Sequence, residues 1–357
     1  MKIAVAMSGG IDSSVAALLL REQGHKIIGI TARLSDQNNL VPGNTHANFF
    51  ADQSVTDAKK IADDFNFEHH VVNLETDFES EIIKPFCEKY LSGETPSPCI
   101  ICNAKIKFNR LIDIALSFDC DCLATGHYAA VKLDEITGRY FIKAAADLNK
   151  DQSYFLFMID QFHLSKINFP LGGYTKDEIR DMARKFNLQI ADKPDSQEIC
   201  FIPDNDYKNF IEKYTGVKPI PGNIVKKDGT VIGRHTGIFH YTIGQRRGLG
   251  ISDSSPLYVT EINTEKNEIV AGYQDELYRN GLIADRVIHM KTENLNTIAY
   301  IKTRSTQKKI KAEINEINDE LKITFLEPLS QITPGQAVVI YNEENEILGG
   351  AWIKHAF

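Results

Sequence analysis

The chain has 357 residues, of which 43% are hydrophobic and 25% charged, and its formal net charge at pH 7 is −8. That length accommodates two or three domains with cores of their own, the composition is typical of a globular protein, and the negative charge gives no overall attraction to nucleic acid. Because no apolar run approaches the ~20 residues of a membrane span and the N-terminus lacks a secretory signal pattern, we expect a cytoplasmic protein with reduced cysteines and no membrane partner.

The most informative stretch is a glycine-rich turn near the N-terminus. Residues 3–7 are apolar and predict a buried strand, and residues 15–23 predict a helix that Gly24 ends. The string SGGIDSS between them, residues 8–14, would direct backbone N–H groups and hydroxyls to one spot beside a positive helix end, which is a phosphate site. The lysine of a Walker loop and the spacing of the dinucleotide fingerprint are both absent. The string resembles instead the PP-loop of ATP pyrophosphatases, and a plain Gly/Ser turn is the alternative.

Strand and helix patterns alternate along the first part of the chain. This alternation predicts an α/β fold with a doubly wound parallel sheet, in which ligands bind beyond the carboxyl ends of the strands. Since Gly126 and His127 directly follow a predicted strand, we expect this turn and the PP-loop to flank one nucleotide. The predicted strands are 26–32, 70–74 and 122–125, and the predicted helices are 55–65 with Ser54 as N-cap, 78–91, 103–118 and 176–186.

A second informative stretch, TPSPCIICN at residues 95–103, carries two of the six cysteines. The prolines predict an extended loop, and Cys102 then lies at the start of the next helix, where the positive helix end lowers the pKa of a thiol. Lys105 and Lys107 would act in the same direction. We therefore interpret Cys102 as a reactive thiol. A structural C-x-x-C pair, a zinc site and a thioredoxin-type motif are the alternatives, although further zinc ligands and the thioredoxin setting are not evident.

The other four cysteines are predicted to be core residues from their local sequence alone. Cys87 lies in an amphipathic helix pattern. Cys120 and Cys122 are two positions apart on a predicted strand, so we expect them to face the same side. Cys200 lies in the apolar run ICFI, residues 199–202, which by itself indicates burial rather than catalysis.

The composition of the chain changes twice. After residue 205 glycine and proline become frequent, with short alternating runs at 237–243 and 257–263, and from about residue 280 short strands and turns dominate. We therefore predict domain boundaries near these two positions, and six closely spaced strands indicate a small C-terminal β-barrel. Those strands are 282–289, 298–303, 310–317, 321–325, 337–341 and 347–352.

Strings spread over nearly the whole chain resemble the tRNA-specific 2-thiouridylase family, bacterial enzymes that replace oxygen by sulfur at carbon 2 of the wobble uridine. The strings are AMSGGIDSS (6–14), TPSPCIICNAKIKF (95–108), ATGHYA (124–129), KDQSYFL (150–156), DSQEICFI (195–202), HTGIFHYTIGQRRGLGI (235–251) and TPGQ (333–336). The resemblance implies a PP-loop catalytic domain with an adenine nucleotide alpha hydrolase-like fold over 1–205, a small central domain over 206–280 and a tRNA-contacting β-barrel over 281–357.

The resemblance also implies roles for individual residues. Cys102 matches the family nucleophile, and Cys200 matches the cysteine that carries a persulfide. Cys99 stands where some members carry Asp, and Ala32 stands where the family often has a larger apolar side chain. The residues that match ATP contacts are Ala6, Met7, Ser8, Gly9, Gly10, Ile11, Asp12, Ser13, Ala32 and Gly126. The residues that match the loop at the target base are Ser97, Pro98 and Cys99, and those that match other tRNA contacts are His127, Lys150, Asp151, Gln152, Arg304, Ser305 and Gln336.

The implied reaction uses ATP, Mg²⁺ and two macromolecular partners. ATP would adenylate the carbonyl oxygen of a wobble uridine extracted from the anticodon loop of tRNA, and a sulfur-donor relay protein would load Cys200 with the incoming sulfur. Asp12 is a candidate contact of the Mg²⁺. The candidates for a basic face toward RNA are Arg246, Arg247, Lys302 and Arg304.

Three other hypotheses stay open at the level of the sequence. In the first, Cys99, Cys102 and Cys200 hold a [4Fe–4S] cluster with one open iron that binds sulfide. In the second, the chain is another ATP pyrophosphatase with a small-molecule substrate, which would need neither paired reactive cysteines nor a C-terminal barrel. In the third, it is a nucleotide-binding or iron–sulfur regulatory module without turnover, which ATP-to-AMP conversion dependent on tRNA would exclude.

Overall fold

A computed structural model describes residues 1–34, 45–191, 199–202 and 205–357, with side chains for all of these except residues 45–52. The first part of the chain forms a five-stranded sheet in the order β3-β2-β1-β4-β7, and every neighbouring pair is parallel. The sheet strands and an intervening hairpin, β5–β6, are β1 Lys2–Ala6, β2 Lys26–Arg33, β3 Glu68–Asn73, β4 Cys122–Ala124, β5 Ala129–Leu133, β6 Tyr140–Ala144 and β7 Ile167–Asn168.

Helices pack against both faces of this sheet. They are α1 Ile11–Glu22, α2 Thr45–Asp64, α3 at 75–91, α4 at 98–117, α5 Gln161–Leu164, α6 Lys176–Lys185 and α7 Tyr207–Thr215. Because side chains alternate along a strand, Ile3 and Val5 of β1 lie in one core cluster with α1, α2 and α6, whereas Ala4 lies in a second cluster with α3 and α4. The predicted doubly wound α/β sheet is therefore confirmed.

Four helices begin earlier than their sequence patterns predicted. α1 begins at Ile11 instead of residue 15, after Gly10 in an extended conformation. α3 begins at Glu75 instead of residue 78. α2 begins at Thr45, so Ser54 lies inside the helix and is not its N-cap. α4 begins at Pro98, which suits the first helical position because its ring presets φ, and Cys102 is therefore the fifth residue of the helix and not its start.

Three of the four cysteines predicted to be core residues are buried, whereas Cys200 lies in a turn and is exposed, so the prediction was wrong for Cys200. One further detail was also wrong. Cys87, Cys120 and Cys122 are each less than 9% exposed. Strand β4 begins only at Cys122, and Cys120 precedes it in the turn after α4. As a result Cys120 lies in the core cluster of α3 and α4 and Cys122 in the cluster of α1, so the two thiols do not share a face.

Two further β-structures follow. A four-stranded sheet has the order β10-β11-β8-β9, and six later strands close into a barrel in the order β12-β15-β14-β13-β16-β17, as the strand spacing predicted. Within the alternating run at 237–243, Ile238–His240 forms a 3₁₀ turn. The strands are β8 Gly222–Val225, β9 Val231–His235, β10 Tyr258–Asn263, β11 Glu268–Gly272, β12 Tyr278–His289, β13 Thr297–Lys302, β14 Ile310–Ile317, β15 Glu320–Ser330, β16 Ala337–Tyr341 and β17 Ile347–Ala356.

The barrel packs directly on the α/β part of the chain. The Tyr154 hydroxyl donates to the carbonyl oxygen of Ala337 at 3.0 Å, and the Phe157 ring packs so closely on Gly350 that a Cβ there would lie 2.6 Å from it. Trp352 and Tyr341 of the barrel belong to the same core cluster as Tyr154. Within the described parts of the chain, every helix is too short or too polar to cross a lipid bilayer.

Candidate functional site

The PP-loop string forms a tight turn between β1 and α1. Gly9 has a φ of +67°, and a Cβ at this position would lie 2.5 Å from the carbonyl oxygen of Ser54, so only glycine fits. The Ser8 N–H donates to Ser13 Oγ at 3.2 Å, and the Ser14 hydroxyl donates to the carbonyl oxygen of Gly10 at 2.8 Å. These bonds hold the loop against the N-terminus of α1, whose first backbone N–H groups have no intrahelical acceptor.

The other residues predicted to contact a nucleotide lie at the same edge of the sheet. Ala6 ends β1, Ala32 is the penultimate residue of β2, and Gly126 follows β4. A Cβ on Gly126 would lie 2.7 Å from backbone atoms of both Asp12 and Ser13, so this turn abuts the start of α1. The structure therefore brings the predicted ATP residues together at the carboxyl edge, where doubly wound sheets bind ligands.

A lysine from the far end of the domain contacts the PP-loop. The Nζ of Lys176, in the first turn of α6, lies 2.8 Å from both carboxylate oxygens of Asp12, and the Tyr128 hydroxyl donates to Asp12 Oδ1 at 2.8 Å. Lys176 and Tyr128 thus occupy hydrogen-bonding positions on Asp12, the residue predicted to contact Mg²⁺. The sequence analysis missed Lys176, although a lysine next to a helix N-cap is a signal, because the positive helix end disfavours a cation there.

The predicted reactive thiols come together beside this edge. Cys99 and Cys200 are exposed and Cys102 is buried. The Cys200 and Cys99 thiols both act electrostatically on Cys102, and Cys99 acts on Cys200, so side chains far apart in the sequence share one site. Among the residues that the structure describes, no three His, Cys, Asp or Glu side chains are arranged to hold a metal ion. The three thiols therefore do not fit an iron–sulfur cluster in this arrangement.

Cys102 is not the low-pKa thiol that its predicted position implied. Burial raises its pKa from 9.0 to about 12, and the opposing effect of Lys107 is smaller. Desolvation by the surrounding protein also raises the pKa values of Cys99 and Cys200, although both residues reach solvent, and Lys107 again acts in the opposite direction. Lys105, by contrast, is ion-paired with Glu81. In the free chain Cys102 is thus a neutral thiol, and Lys107 is the cation shared by all three cysteines.

The helical geometry explains how Lys107 reaches the thiols. Cys99 and Cys102 are three positions apart in α4, a spacing that places side chains on one face. The segment Cys102–Arg110 is π-helical, and Phe108 within it departs from helical geometry with φ −109° and ψ 19°. A π-helix bonds residue i to i+5, so it brings a side chain over the one five positions earlier. The π-helical segment therefore turns Lys107 closer to the face of Cys102 than a regular α-helix would, in keeping with its electrostatic effect on that thiol.

His127 lies in the same neighbourhood as a neutral imidazole. Its Nδ1 is 2.7 Å from the hydroxyl of Thr125, and its ring packs against Phe108 and Phe169. Burial lowers its pKa well below 6.5, and Lys107 lowers it further. Lys107 thus acts both on His127, which directly follows Gly126, and on Cys102.

A cavity of about 230 Å³ opens where the α/β part, the central part and the barrel meet. It combines four of the residues predicted to contact tRNA with two aromatic side chains and neutral hydroxyls. Its lining is Thr95, Ser97, Tyr154, Phe155, Thr242, Arg304, Ser305, Thr306 and Gln336. A larger open cleft of about 620 Å³ around Tyr258, Tyr273 and Tyr278 contains none of the predicted site residues, so size alone does not identify the site.

Several residues predicted to contact tRNA also make internal contacts. Gln336 Nε2 donates to the carbonyl oxygens of Thr95 at 2.9 Å and Pro96 at 3.1 Å. Arg304 donates to Thr333 Oγ1 at 2.7 Å and to Gln331 Oε1 at 3.2 Å. The Gln336 bonds attach the barrel to the loop before Cys99, and the Arg304 bonds hold that side chain within the barrel part at the wall of the cavity.

The segment before the cavity is held in a similar way. Asp151 Oδ2 accepts a hydrogen bond from the Ser153 hydroxyl at 2.8 Å, and Gln152 Oε1 accepts one from the Tyr128 N–H at 2.9 Å. Lys150 is half-buried beside them. Of the basic residues expected to face RNA, Arg246 and Arg247 are exposed, whereas Lys302 is only 9% exposed and does not present its side chain to solvent.

The fold, the glycine–serine loop and the edge that it shares with Gly126 define the chain as a PP-loop α/β protein. Three family models match it in succession: a tRNA methyl transferase HUP domain over residues 1–204, a tRNA methyl transferase PRC-barrel domain over 208–273 and an aminomethyltransferase beta-barrel domain over 279–353. It is 43% identical over 99% of its length to the tRNA-specific 2-thiouridylase MnmA of Carboxydothermus hydrogenoformans, covering 97% of that protein. It is 42% identical over its whole length to the protein of the same name from Halothermothrix orenii, covering 99% of it. The chain belongs to the tRNA-specific 2-thiouridylase family.

Proposed function

We propose that this chain is an ATP-dependent tRNA-uridine 2-sulfurtransferase that forms 2-thiouridine at the wobble position. The observation that carries the proposal is the convergence of Cys99, Cys102 and Cys200 beside the PP-loop edge and next to a cavity at the junction with the barrel. A nucleotide site, a sulfur site and a base-sized cavity are the three parts that such a reaction needs. We propose the units 1–205, 206–280 and 281–357 as its catalytic, central and tRNA-contacting domains.

The first step converts the 2-oxygen of uridine into a leaving group. The 2-oxygen of uridine attacks the α-phosphorus of ATP, the bond to the bridging oxygen breaks, and pyrophosphate leaves with the electron pair. We assign ATP binding to Ala6, Met7, Ser8, Gly9, Gly10, Ile11, Asp12, Ser13, Ala32 and Gly126. Preorganised N–H groups at a helix N-terminus stabilise the charge that develops on the phosphates. Mg²⁺ would enter with the triphosphate, largely on its oxygens, and offset part of that charge.

The second step delivers sulfur from the protein. A sulfur-donor relay protein loads exposed Cys200 as a persulfide, whose terminal sulfur attacks carbon 2 while AMP leaves with the electron pair of the C–O bond. The Cys102 thiolate then attacks Cys200 Sγ. The S–S bond breaks, its electron pair passes to the sulfur on carbon 2, and a Cys102–Cys200 disulfide remains for a thiol reductant to reopen. Alternatively, Cys102 attacks Cys200 Sγ first and releases hydrosulfide as the attacking species.

The target base would enter the cavity after leaving the anticodon stack, because a stacked carbonyl cannot be reached. Phe155 and Tyr154 offer aromatic surface to it, in keeping with the way proteins hold splayed RNA bases. We assign target-base contacts to Ser97, Pro98 and Cys99, and tRNA contacts to His127, Lys150, Asp151, Gln152, Arg304, Ser305 and Gln336. We place this reaction in the cytoplasm, where tRNA and reduced thiols occur together.

The test compares Cys102→Ser and Cys200→Ser with the parent chain and with Cys122→Ala, a control on the opposite core cluster. Each serine variant should abolish 2-thiouridine formation, detected by mass spectrometry of digested tRNA, and should still bind ATP. The parent chain and the control should yield AMP and thiolated tRNA together when Mg²⁺ and a sulfane-sulfur donor that can load Cys200 as a persulfide are supplied. Thiolation by either serine variant would overturn the assignment of the thiols.

The same experiment separates the remaining hypotheses. Mass spectrometry distinguishes replacement of oxygen by sulfur from addition of a methyl group, which the description of the matching family model suggests. AMP formation that requires tRNA excludes both a small-molecule synthetase and a regulatory module without turnover. Iron analysis of the anaerobically purified chain tests the iron–sulfur route. That route predicts stoichiometric iron, whereas the persulfide route predicts none.

A further inference from the structure

The ion pair between Lys176 and Asp12 is unusual in its position and its burial. Lys176 is only 5% exposed, and its Nζ lies 2.8 Å from each oxygen of Asp12, which belongs to the PP-loop string. The ammonium also lies 5.7 Å from the centre of the Tyr128 ring, whose hydroxyl bonds to the same carboxylate. A cation from α6 is therefore built into the nucleotide edge of the sheet.

Stability alone gives a poor account of this lysine. Two charges removed from water repay their desolvation only in part, and apolar side chains of similar volume would join α1 to α6 at least as well. Lys176 is also the first residue of α6, at the positive end of the helix dipole, which opposes a cation. That helix already has a complete capping box between Thr175 and Glu178, so its start does not depend on the lysine.

Binding of a polyphosphate explains why a lysine lies at this position. The PP-loop string has no lysine of its own, and its one charged residue, Asp12, would repel the phosphates of ATP. Lys176 neutralises Asp12 and places an ammonium beside the N-terminus of α1, where a phosphate-binding loop directs its N–H groups. The position corresponds in chemistry to the loop lysine of Walker-type sites, supplied here from a helix that comes 164 residues later in the sequence than Asp12.

We propose that Lys176 is the phosphate-binding cation of the ATP site and that Asp12 is the positioning residue that holds it there. The inference rests on the proposed function, because it presumes that ATP is the ligand of this loop. In the free chain the ammonium bonds to Asp12, and when ATP is bound it also donates to a phosphate oxygen. During adenylation it stabilises the charge that pyrophosphate gains as the bond between the α-phosphorus and the bridging oxygen breaks.

The experiment measures ATP and adenosine affinities by calorimetry for the parent chain, for Lys176→Met and for Lys185→Met. Lys185 is exposed in the last turn of the same helix and is the matched control. Loss of one charge-assisted hydrogen bond should weaken ATP binding roughly 10- to 100-fold. Adenosine carries no phosphate, so its affinity should stay unchanged, and Lys185→Met should behave like the parent. Equal weakening of both ligands by Lys176→Met, or no weakening of ATP binding, would overturn the proposal.

A double variant, Asp12→Asn with Lys176→Met, separates phosphate binding from simple charge compensation and leaves no unpaired buried charge to prevent folding. If Lys176 served only to neutralise Asp12, the double variant would recover the ATP affinity of the parent chain, and the proposal would be wrong. If Lys176 donates to a phosphate, the double variant regains only the affinity that repulsion by Asp12 had cost and stays weaker than the parent chain. Failure of the parent chain itself to bind ATP would contradict the proposed function together with this inference, whereas ATP binding by the parent and equally by Lys176→Met would contradict only the inference.

Discussion

At the scale of single residues, Cys102 illustrates a competition between two physical effects. A helix N-terminus and a nearby lysine favour the thiolate, whereas removal from water favours the neutral thiol. With Cys102 at the fifth position of α4 and 7% exposed, burial prevails and the pKa rises to about 12. Cys102 is therefore an unreactive, buried thiol in the free chain. Substrate binding can control its reaction by exposing it.

The first prediction concerns alkylation of the thiols by iodoacetamide. Because only the thiolate reacts, Cys102 should be alkylated more slowly than exposed Cys99 and Cys200, and its rate should keep rising with pH beyond pH 9. Lys107→Met should slow all three reactions by raising each thiol pKa further. Peptide mass spectrometry of timed samples between pH 7 and about 10 gives the three rates separately.

Lys105→Met provides the matched control, since Lys105 is ion-paired with Glu81, whereas Lys107 acts on Cys102. It should leave all three alkylation rates as they are in the parent chain. A rate for Cys102 that levels off near neutral pH would show that burial does not govern the pKa of this thiol. Equal effects of the two lysine variants would show that Lys107 has no particular effect on the thiols.

At the scale of elements, prediction from sequence succeeded where periodicity is strong and failed where tertiary packing decides. The alternation of apolar residues predicted the sheet, and the spacing of short runs predicted the barrel strands. The start of α4 could not be predicted, because the same Pro98 that suits an extended loop also suits the first turn of a helix. The π-helical segment Cys102–Arg110 has no sequence signature either, yet it turns Lys107 closer to the face of Cys102 than an α-helix would.

The loop that precedes Cys99 depends on an element distant in the sequence. Gln336, immediately before β16, donates to the carbonyl oxygens of Thr95 and Pro96, and the Thr95 N–H donates to the carbonyl oxygen of Pro334 at 3.1 Å. A backbone with these partners is held in one conformation although it has no regular structure of its own. The resemblance implies that Gln336 contacts tRNA. The structure shows in addition that Gln336 holds the loop before Cys99 in place.

The second prediction follows for Gln336→Met, which keeps the length of the side chain and removes its donors. Loss of two hydrogen bonds of about 0.5–1.5 kcal/mol each should loosen residues 94–97 without unfolding the barrel. Hydrogen exchange followed by mass spectrometry should show faster exchange in this loop, and ATP affinity should be unchanged because the nucleotide edge is separate. Unchanged exchange in the loop would show that other contacts hold it.

At the scale of the whole molecule, the candidate site is a product of how three parts of the chain meet. Ser97 and Phe155 come from the α/β part, Thr242 from the central part, and Arg304 and Gln336 from the barrel. Each segment was singled out by its string of residues, but no local pattern indicates which walls face one another. The ion pair of Lys176 with Asp12 was missed for the same reason, since it joins segments that only the fold brings into contact.

The last prediction concerns stability at alkaline pH and arises from acidic groups buried as neutral species throughout the molecule. Burial raises the pKa of Cys87 from 9.0 to about 12 and that of Cys122 to about 11, and it raises the pKa of Tyr341 well above 10.0. Above pH 9 the unfolded chain loses these protons while the folded chain retains them, so it binds fewer protons than the folded chain and the free energy of unfolding falls with rising pH. Below about pH 9 these groups are protonated in both the folded and the unfolded chain, so the free energy of unfolding does not change with pH on their account.

Thermal unfolding midpoints measured from pH 7 to about 11 should therefore be level up to about pH 9 and should then decline. Tyr341→Phe tests the cause. The variant gives up one hydrogen bond, from Tyr341 to Ser153 at 3.2 Å, and should be slightly less stable than the parent at pH 7. It also has one buried hydroxyl fewer to ionise on unfolding, so its decline above pH 10 should be shallower than that of the parent. Parallel curves for the two chains would mean that ionisation of this buried tyrosine does not contribute to alkaline unfolding.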